Sequence, residues 1–305
     1  MLLVALTILG LISFEIVSSV DNAIVNAHVL GTMSERSKRW FLLWGIIIAV
    51  VAIRGLLPLM IIVVTNPDIG FLSLLRAIEG SDGTARHAME QNAYILLLGG
   101  GMFLFLLYLN WLFQEPKDPY FVPDKLIKPH HGIWFYGIAA LLLVGVMYAS
   151  SARPIGMISV AAGNAIFFIL HGFRNLAEQE EKKLAHSRRN DASKLMFLMI
   201  LDASFSIDGV LGAFAFTTNV LLIFIGNGIG AVVVRQLTMK GINKVGTYKW
   251  LKNGAMTSIG MLGACMILEG FDVHIPQWLP PCLTFTLVGI TFFSSHRDLR
   301  RNTGF

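Results

Sequence analysis

Cysteine and charge are both scarce in this chain. Only Cys265 and Cys282 occur among 305 residues, too few for a disulfide framework, and both read as small buried thiols. Charged residues make up 14% and apolar ones 55%, with a mean hydropathy of +0.66. That balance excludes an ordinary soluble domain and points to a membrane class. No basic n-region opens the chain and no A-x-A site follows the first apolar stretch, so this stretch reads as a mature helix rather than a signal peptide.

Apolar stretches are what the chain has in quantity. Nine of them, at 2–29, 40–64, 92–113, 133–150, 154–173, 194–217, 219–235, 254–270 and 277–294, approach the ~20 residues needed to cross a ~30 Å hydrocarbon core. The expected fold is therefore all-α, a polytopic membrane protein of about nine transmembrane helices. Its organisation reads as a first transmembrane repeat at 1–113, linker helices and a cytoplasmic charged helix at 114–193, and a second transmembrane repeat with an extra C-terminal helix at 194–305.

The formal charge of +5 is a matter of topology. If the loop at 31–39 is cytoplasmic, that loop, 114–132, 174–194, 235–253 and the tail after 294 hold 20 of the 24 Lys and Arg. The bias predicts the N-terminus outside and the C-terminus inside, with lipid rather than nucleic acid as the partner of the basic residues. Segment 69–78 reads as an interfacial helix or a plain loop. The proline-rich stretch 114–132 reads as an inner linker, its His130-His131 pair as solvated. Residues 174–190 read as a charged helix continuing the fifth span, with a solvated face by default and a docking surface for a cytoplasmic protein as the alternative. Gly99, Gly100 and Gly101, and Gly226, Gly228 and Gly230, read as points of close helix approach.

One acidic pattern occurs twice. Span one carries Glu15-Ile16-Val17-Ser18-Ser19-Val20-Asp21-Asn22, and span six carries Asp202-Ala203-Ser204-Phe205-Ser206-Ile207-Asp208-Gly209. Both read acid, five residues, Asp, and the two spans run in opposite directions. This is the signature of an inverted-topology repeat, common in secondary transporters and compatible with a pseudo-symmetric channel.

Of the 19 Asp and Glu, only Glu15, Asp21, Asp202 and Asp208 fall inside the bilayer. Each charged group there costs at least ~2.5–3.5 kcal/mol, so four in one repeat point to function more than to structure. On a straight helix Asp21 lies about 120° from Glu15. The second Asp of each pair therefore faces another neighbour, or the helix unwinds at Ser-Val-Asp-Asn and Ser-Ile-Asp-Gly and frees carbonyls for a cation. If the helices cross near Ser18 and Phe205, Glu15 faces Asp208 and Asp21 faces Asp202. Such oxygen ligands, with Asn22 and Ser206 as weaker candidates, suit a divalent cation such as Mn²⁺, Ca²⁺ or Mg²⁺. Without metal, clustered carboxylates take up protons, a natural coupling for exchange. Arg54, inside span two, is the expected charge partner, as a tether or as a replacement for the cation. His28 and His171 read as capping or interfacial groups, and Asn164 and Asn227 as buried amides bonding between helices.

These motifs resemble the TerC family of integral membrane proteins, associated with tellurium resistance and manganese export. Glu15 to Asn22 resembles that family's first motif, Asp202 to Asn219 its second, and Leu98-Gly99-Gly100 through Leu104 its glycine-rich third span. Gly209, Leu211 and Asn219 depart from it, standing where Ser, Pro and Asp are usual. The resemblance implies a metal-ion exporter of a bacterial inner membrane rather than an enzyme. Two rivals stand beside it: a membrane scaffold of a metal-stress or tellurite-resistance complex, docking partners through 174–190 and 235–253, and an intramembrane aspartyl hydrolase sharing a proton between two Asp residues.

Overall fold

A computed structural model describes residues 2–47, 55–65, 70, 73, 83–127, 132–185, 191–240 and 247–302, with the side chains of residues 20–22, 24, 25, 28, 42, 43, 45–47, 83–90, 177–185, 237, 239, 240 and 302 outside the description. The helices are α1 (Leu2–Ser18), α2 (Val20–Gly31), α3 (Glu35–Ile47), α4 (Leu56–Thr65), α5 (Gly83–Gln114), α6 (Val122–Leu126), α7 (Gly132–Ala149), α8 (Pro154–Ala185), α9 (Asp191–Ala213), α10 (Val220–Lys240), α11 (Leu251–Gly270) and α12 (Leu279–Asn302). No strand occurs among the described residues.

Among the described residues, five helices are long and apolar enough to cross a membrane: Gln91–Gln114, Gly132–Ala149, Pro154–Leu176, Asp191–Ala213 and Leu251–Gly270. Leu2–Ser18, Leu56–Thr65 and Val220–Gln236 are shorter apolar helices. Backbone groups in hydrocarbon must bond within their own segment, which is why apolar runs of this length fold as helices and not as loops. Arg54, most of 69–78, and His130-His131 lie outside the described residues.

Helix α9 lies at the centre, touching α1, α2, α3, α4, α5, α8, α10 and α11. The largest helix pairings are α5 with α11, α5 with α8, and α1 with α10. Glycine makes them. A Cβ on Gly163 of α8 would collide with the Gly99 carbonyl oxygen of α5, and one on Gly101 would stand 2.9 Å from the Gly263 carbonyl oxygen of α11. On α10, Gly226 and Gly230 sit one turn apart against Leu11 and Glu15 of α1. Without a hydrophobic drive between helices in lipid, such contact depends on small residues that let backbones touch. We expect Gly163→Ala to lower thermal stability in detergent by about 1–3 kcal/mol, because backbone rather than a flexible side chain must give way. Gly137→Ala, with nothing within 4 Å of its added methyl, should leave stability unchanged or raise it by up to about 1 kcal/mol.

The anticipated unwinding does not occur in span six. α9 runs unbroken from Asp191 to Ala213 through both of its Asp residues; with Leu211 in place of a proline, that position keeps its amide donor and avoids the ring's clash with the preceding turn. Span one divides at Ser19, at φ −93° and ψ 1°. The ladder nevertheless continues across the division: the Ser19 amide donates to the Glu15 carbonyl at 3.1 Å and the Ala23 amide to the Ser19 carbonyl at 2.9 Å. Carbonyls engaged this way are not freed for a cation.

The proline-rich linker is more ordered than its composition predicts. Asp124 Oδ2 accepts the amides of Tyr120 at 3.4 Å and Phe121 at 3.2 Å, which caps the short α6, and Pro123 sits in the first turn where no amide is needed. Lys117 Nζ donates to the carbonyls of Trp111 at 3.2 Å and of Leu112 at the end of α5, a cation at the negative pole of that helix. Burial pushes the Lys117 ammonium below its ordinary pKa, and Asp124 and Glu115 pull it back up.

Candidate functional site

Glu15 is fully buried on α1. Ser19, one turn later, donates its hydroxyl to Glu15 Oε1 at 2.9 Å. The carboxylate fits because two facing residues lack side chains. A Cβ on Gly209 of α9 would lie 2.5 Å from Glu15 Oε2, and one on Gly230 of α10 would lie 2.6 Å from Glu15 Cβ. Asn227, also fully buried, donates to the Gly209 carbonyl at 3.1 Å, the interhelical amide bond expected of it. Asn164 is only half-buried.

Asp208 follows the same turn of α9 and has a partner the sequence reading missed. Arg174 Nη2 on α8 stands 2.7 Å from Asp208 Oδ1, with both side chains about nine-tenths buried, at 12% and 11% exposure. Its angle makes this an ion pair rather than an aligned hydrogen bond, since Asp208 Oδ1 carries no hydrogen bond by geometry. The same guanidinium donates to the Ser204 carbonyl at 3.1 Å and lies 4.5 Å over the Phe205 ring. Asp202 faces a different helix: Arg235 Nη2 of α10 stands 3.6 Å from its Oδ2, with the guanidinium 4.3 Å over Phe41. Two acids six residues apart on one helix are displaced by about 9 Å and 120°, so they answer to different neighbours.

Arg174 and Arg235 had been counted among the inner basic loops. The structure takes both into the bundle. Each ends an apolar stretch, Arg174 directly after 154–173 and Arg235 as the last residue of 219–235. A long side chain at that position can turn inward as readily as it can snorkel outward. α8 does continue as a charged helix to Ala185, but its first cation faces the core and not solvent.

Other predicted residues are placed as follows. Ser206 is buried and donates its hydroxyl to the Asp202 carbonyl at 2.7 Å, so its proton serves its own helix. The side chains of Asp21, Asn22 and His28 lie outside the described residues. Among the described residues no three His, Cys, Asp or Glu side chains gather as a metal cluster. Cys265 and Cys282 are free thiols.

A cavity of about 440 Å³ leads to Asp208. Asp208, Arg174, Ser18 and Phe205 line it, as do Asn110 and Gln114 of α5. Glu115 and Lys252 line it as well, joined at 2.6 Å and roughly two-fifths exposed. It therefore connects the buried ion pair with the protein surface. Asn110 is nine-tenths buried and its Oδ1 has no hydrogen-bond partner. Half-buried His171 lines the wall through a 3.1 Å contact between its Nε2 and Asn175 Nδ2. Asp208, its guanidinium partner Arg174 and the unpartnered Asn110 oxygen line this one cavity, and oxygen donors beside a compensating charge are what a bound cation requires.

The family described as "Protein of unknown function (DUF475)" matches residues 20–302. No curated protein and no solved structure matches the chain.

Proposed function

We propose, for a chain that belongs to the DUF475 family and inherits no activity from that description, that it is a membrane transporter of a divalent metal cation, with manganese export as the specific reading. The observation that carries this is the buried Asp208–Arg174 pair at the head of a cavity reaching the Glu115–Lys252 pair, with the buried Glu15 packed against Gly209, the residue after Asp208. An ion enters along the cavity and meets Asp208 while Arg174 withdraws. Glu15 and the Asn110 oxygen are the further ligands of this reading, with Asp21 and Asn22, whose side chains lie outside the described residues, as the remaining candidates. When the ion leaves, Arg174 returns, so that Asp208 is never a lone charge in a medium that penalises one heavily. This is the role first expected of Arg54.

Nine spans, arranged as an inverted repeat, suit this reading. Each of the nine apolar stretches overlaps a helix, and α1 meets α9 where the two acidic motifs lie, with Phe14 against Gly212 and Glu15 against Gly209. With Arg174 and Arg235 withdrawn into the bundle, 18 of the 24 basic residues remain in the five segments read as inner, which supports an outer N-terminus and an inner C-terminus; a bacterial inner membrane is the compartment proposed with them. The test is elemental analysis of cells expressing the wild-type chain or Glu15→Gln at equal membrane levels. Wild type should lower cell manganese severalfold, and Glu15→Gln should not; equal metal content in both would end the transport reading.

A scaffold is the second reading. It is favoured by one observation: the two arginine pairs tie α9 to α8 and to α10, which is what a purely structural network would do. Partners would then dock through 174–190 and 235–253.

A further inference from the structure

Helices α3 and α9 leave a groove of about 670 Å³ between them. Its walls are Trp40, Leu195, Met199, Ile200 and Ala203, with Arg36 at its mouth. The groove faces outward: Trp40 is 44% and Ile200 45% exposed. Along α9 it extends from Ala192 to Ala203, a rise of about 16 Å. That is about half of a ~30 Å hydrocarbon core, the depth of one leaflet.

The mouth carries positive charge to spare. Glu35 is engaged by Lys38 at 2.7 Å, and Asp191 Oδ2 accepts the hydroxyls of Ser37 at 2.8 Å and of Ser34. No described acid pairs with Arg36, whose side chain is exposed beside Trp40. Because Asp191 begins a membrane-length helix, Arg36 and Trp40 stand at the bilayer boundary, where indoles settle and a guanidinium meets phosphate through its fork of donors. A neutral lipid would find the apolar wall but would leave this cation without its complement.

We propose that the α3–α9 groove binds one anionic phospholipid of the adjoining leaflet, an acyl chain lying along α9 and the phosphate on Arg36. The site is separate from the cavity at Asp208 and stands whether or not the chain carries metal. Its deep end is Ala203, next to Asp202, so occupancy bears on the helix that holds both buried Asp residues.

The experiment is native mass spectrometry of the full chain in neutral detergent, titrated with phosphatidylglycerol or phosphatidylcholine of matched acyl chains. Wild type should retain one phosphatidylglycerol with about fivefold preference, the effect of one basic residue near the surface. Arg36→Gln should equalise the two lipids and Arg36→Lys should keep part of the preference. Met199→Trp, which fills the groove from a partly exposed position, should release both lipids, with circular dichroism confirming that the helices persist. Equal retention of both lipids by wild type would overturn the proposal, as would an unchanged preference in Arg36→Gln. Displacement of the lipid by glycerol phosphate at equal concentration would assign the site to free phosphate. A dimer mass lost in Met199→Trp would assign the groove to a second copy of the chain.

Discussion

Arg174→Gln should be among the most destabilising single changes in this protein, by about 3–5 kcal/mol, because it leaves Asp208 buried beside Glu15 without its cation. The pair is 2.7 Å apart and about nine-tenths buried on both sides, so solvent screens it little. Adding Asp208→Asn removes the stranded charge, and the double variant should recover most of the loss; two neighbours in one network are not additive. Denaturant or thermal unfolding of the purified single and double variants measures this directly. Arg235→Gln should cost less, since its contact with Asp202 is looser at 3.6 Å. The double variant also separates the two functional readings. A scaffold held by this ion pair works again once stability returns, whereas a transporter that needs the Asp208 carboxylate does not.

The second large effect is on transport. Asp208→Asn keeps the shape of the side chain but leaves the buried Arg174 without its anion, so it too should lose stability; compared at equal amounts of folded protein, it should reduce metal flux about a hundredfold or more. Loss of groups that merely orient a ligand weakens metal sites by about 10–100-fold, and Asp208 stands at the head of the cavity itself. Its neighbour Arg174 would then hold an uncompensated charge where the incoming ion must pass, which adds repulsion to the missing ligand. Efflux of manganese from loaded proteoliposomes reads the difference. Flux equal to wild type would remove Asp208 from the pathway.

How much of the site was legible in the sequence depends on what each residue depends on. Glu15 and Asp208 stood out because a carboxylate inside an apolar run is visible as hydropathy alone. Gly209 appeared only as a departure from a resembled motif, and its use is spatial: its missing Cβ is the room that Glu15 occupies. Arg174 and Arg235 were misassigned for a physical reason. A basic residue at the end of an apolar stretch satisfies the positive-inside bias whether its side chain points to water or into the bundle, and one chain's composition does not distinguish the two. The unwound helix was expected from the 120° between the two acids of each motif. Arginines on two different helices meet Asp202 and Asp208 separately, which leaves α9 straight and removes the need to turn both acids to one side.

The carboxylates of the two acidic motifs, their spacing and the helical, membrane-embedded class were determined by the sequence, because hydrocarbon tolerates few backbone solutions and no free charge. Which cation answers each acid was decided only by the tertiary structure. Pairing across α8, α9 and α10 depends on glycine contacts and helix crossings between residues 30 or more positions apart, and no local pattern encodes a distance of 2.7 Å between Arg174 and Asp208.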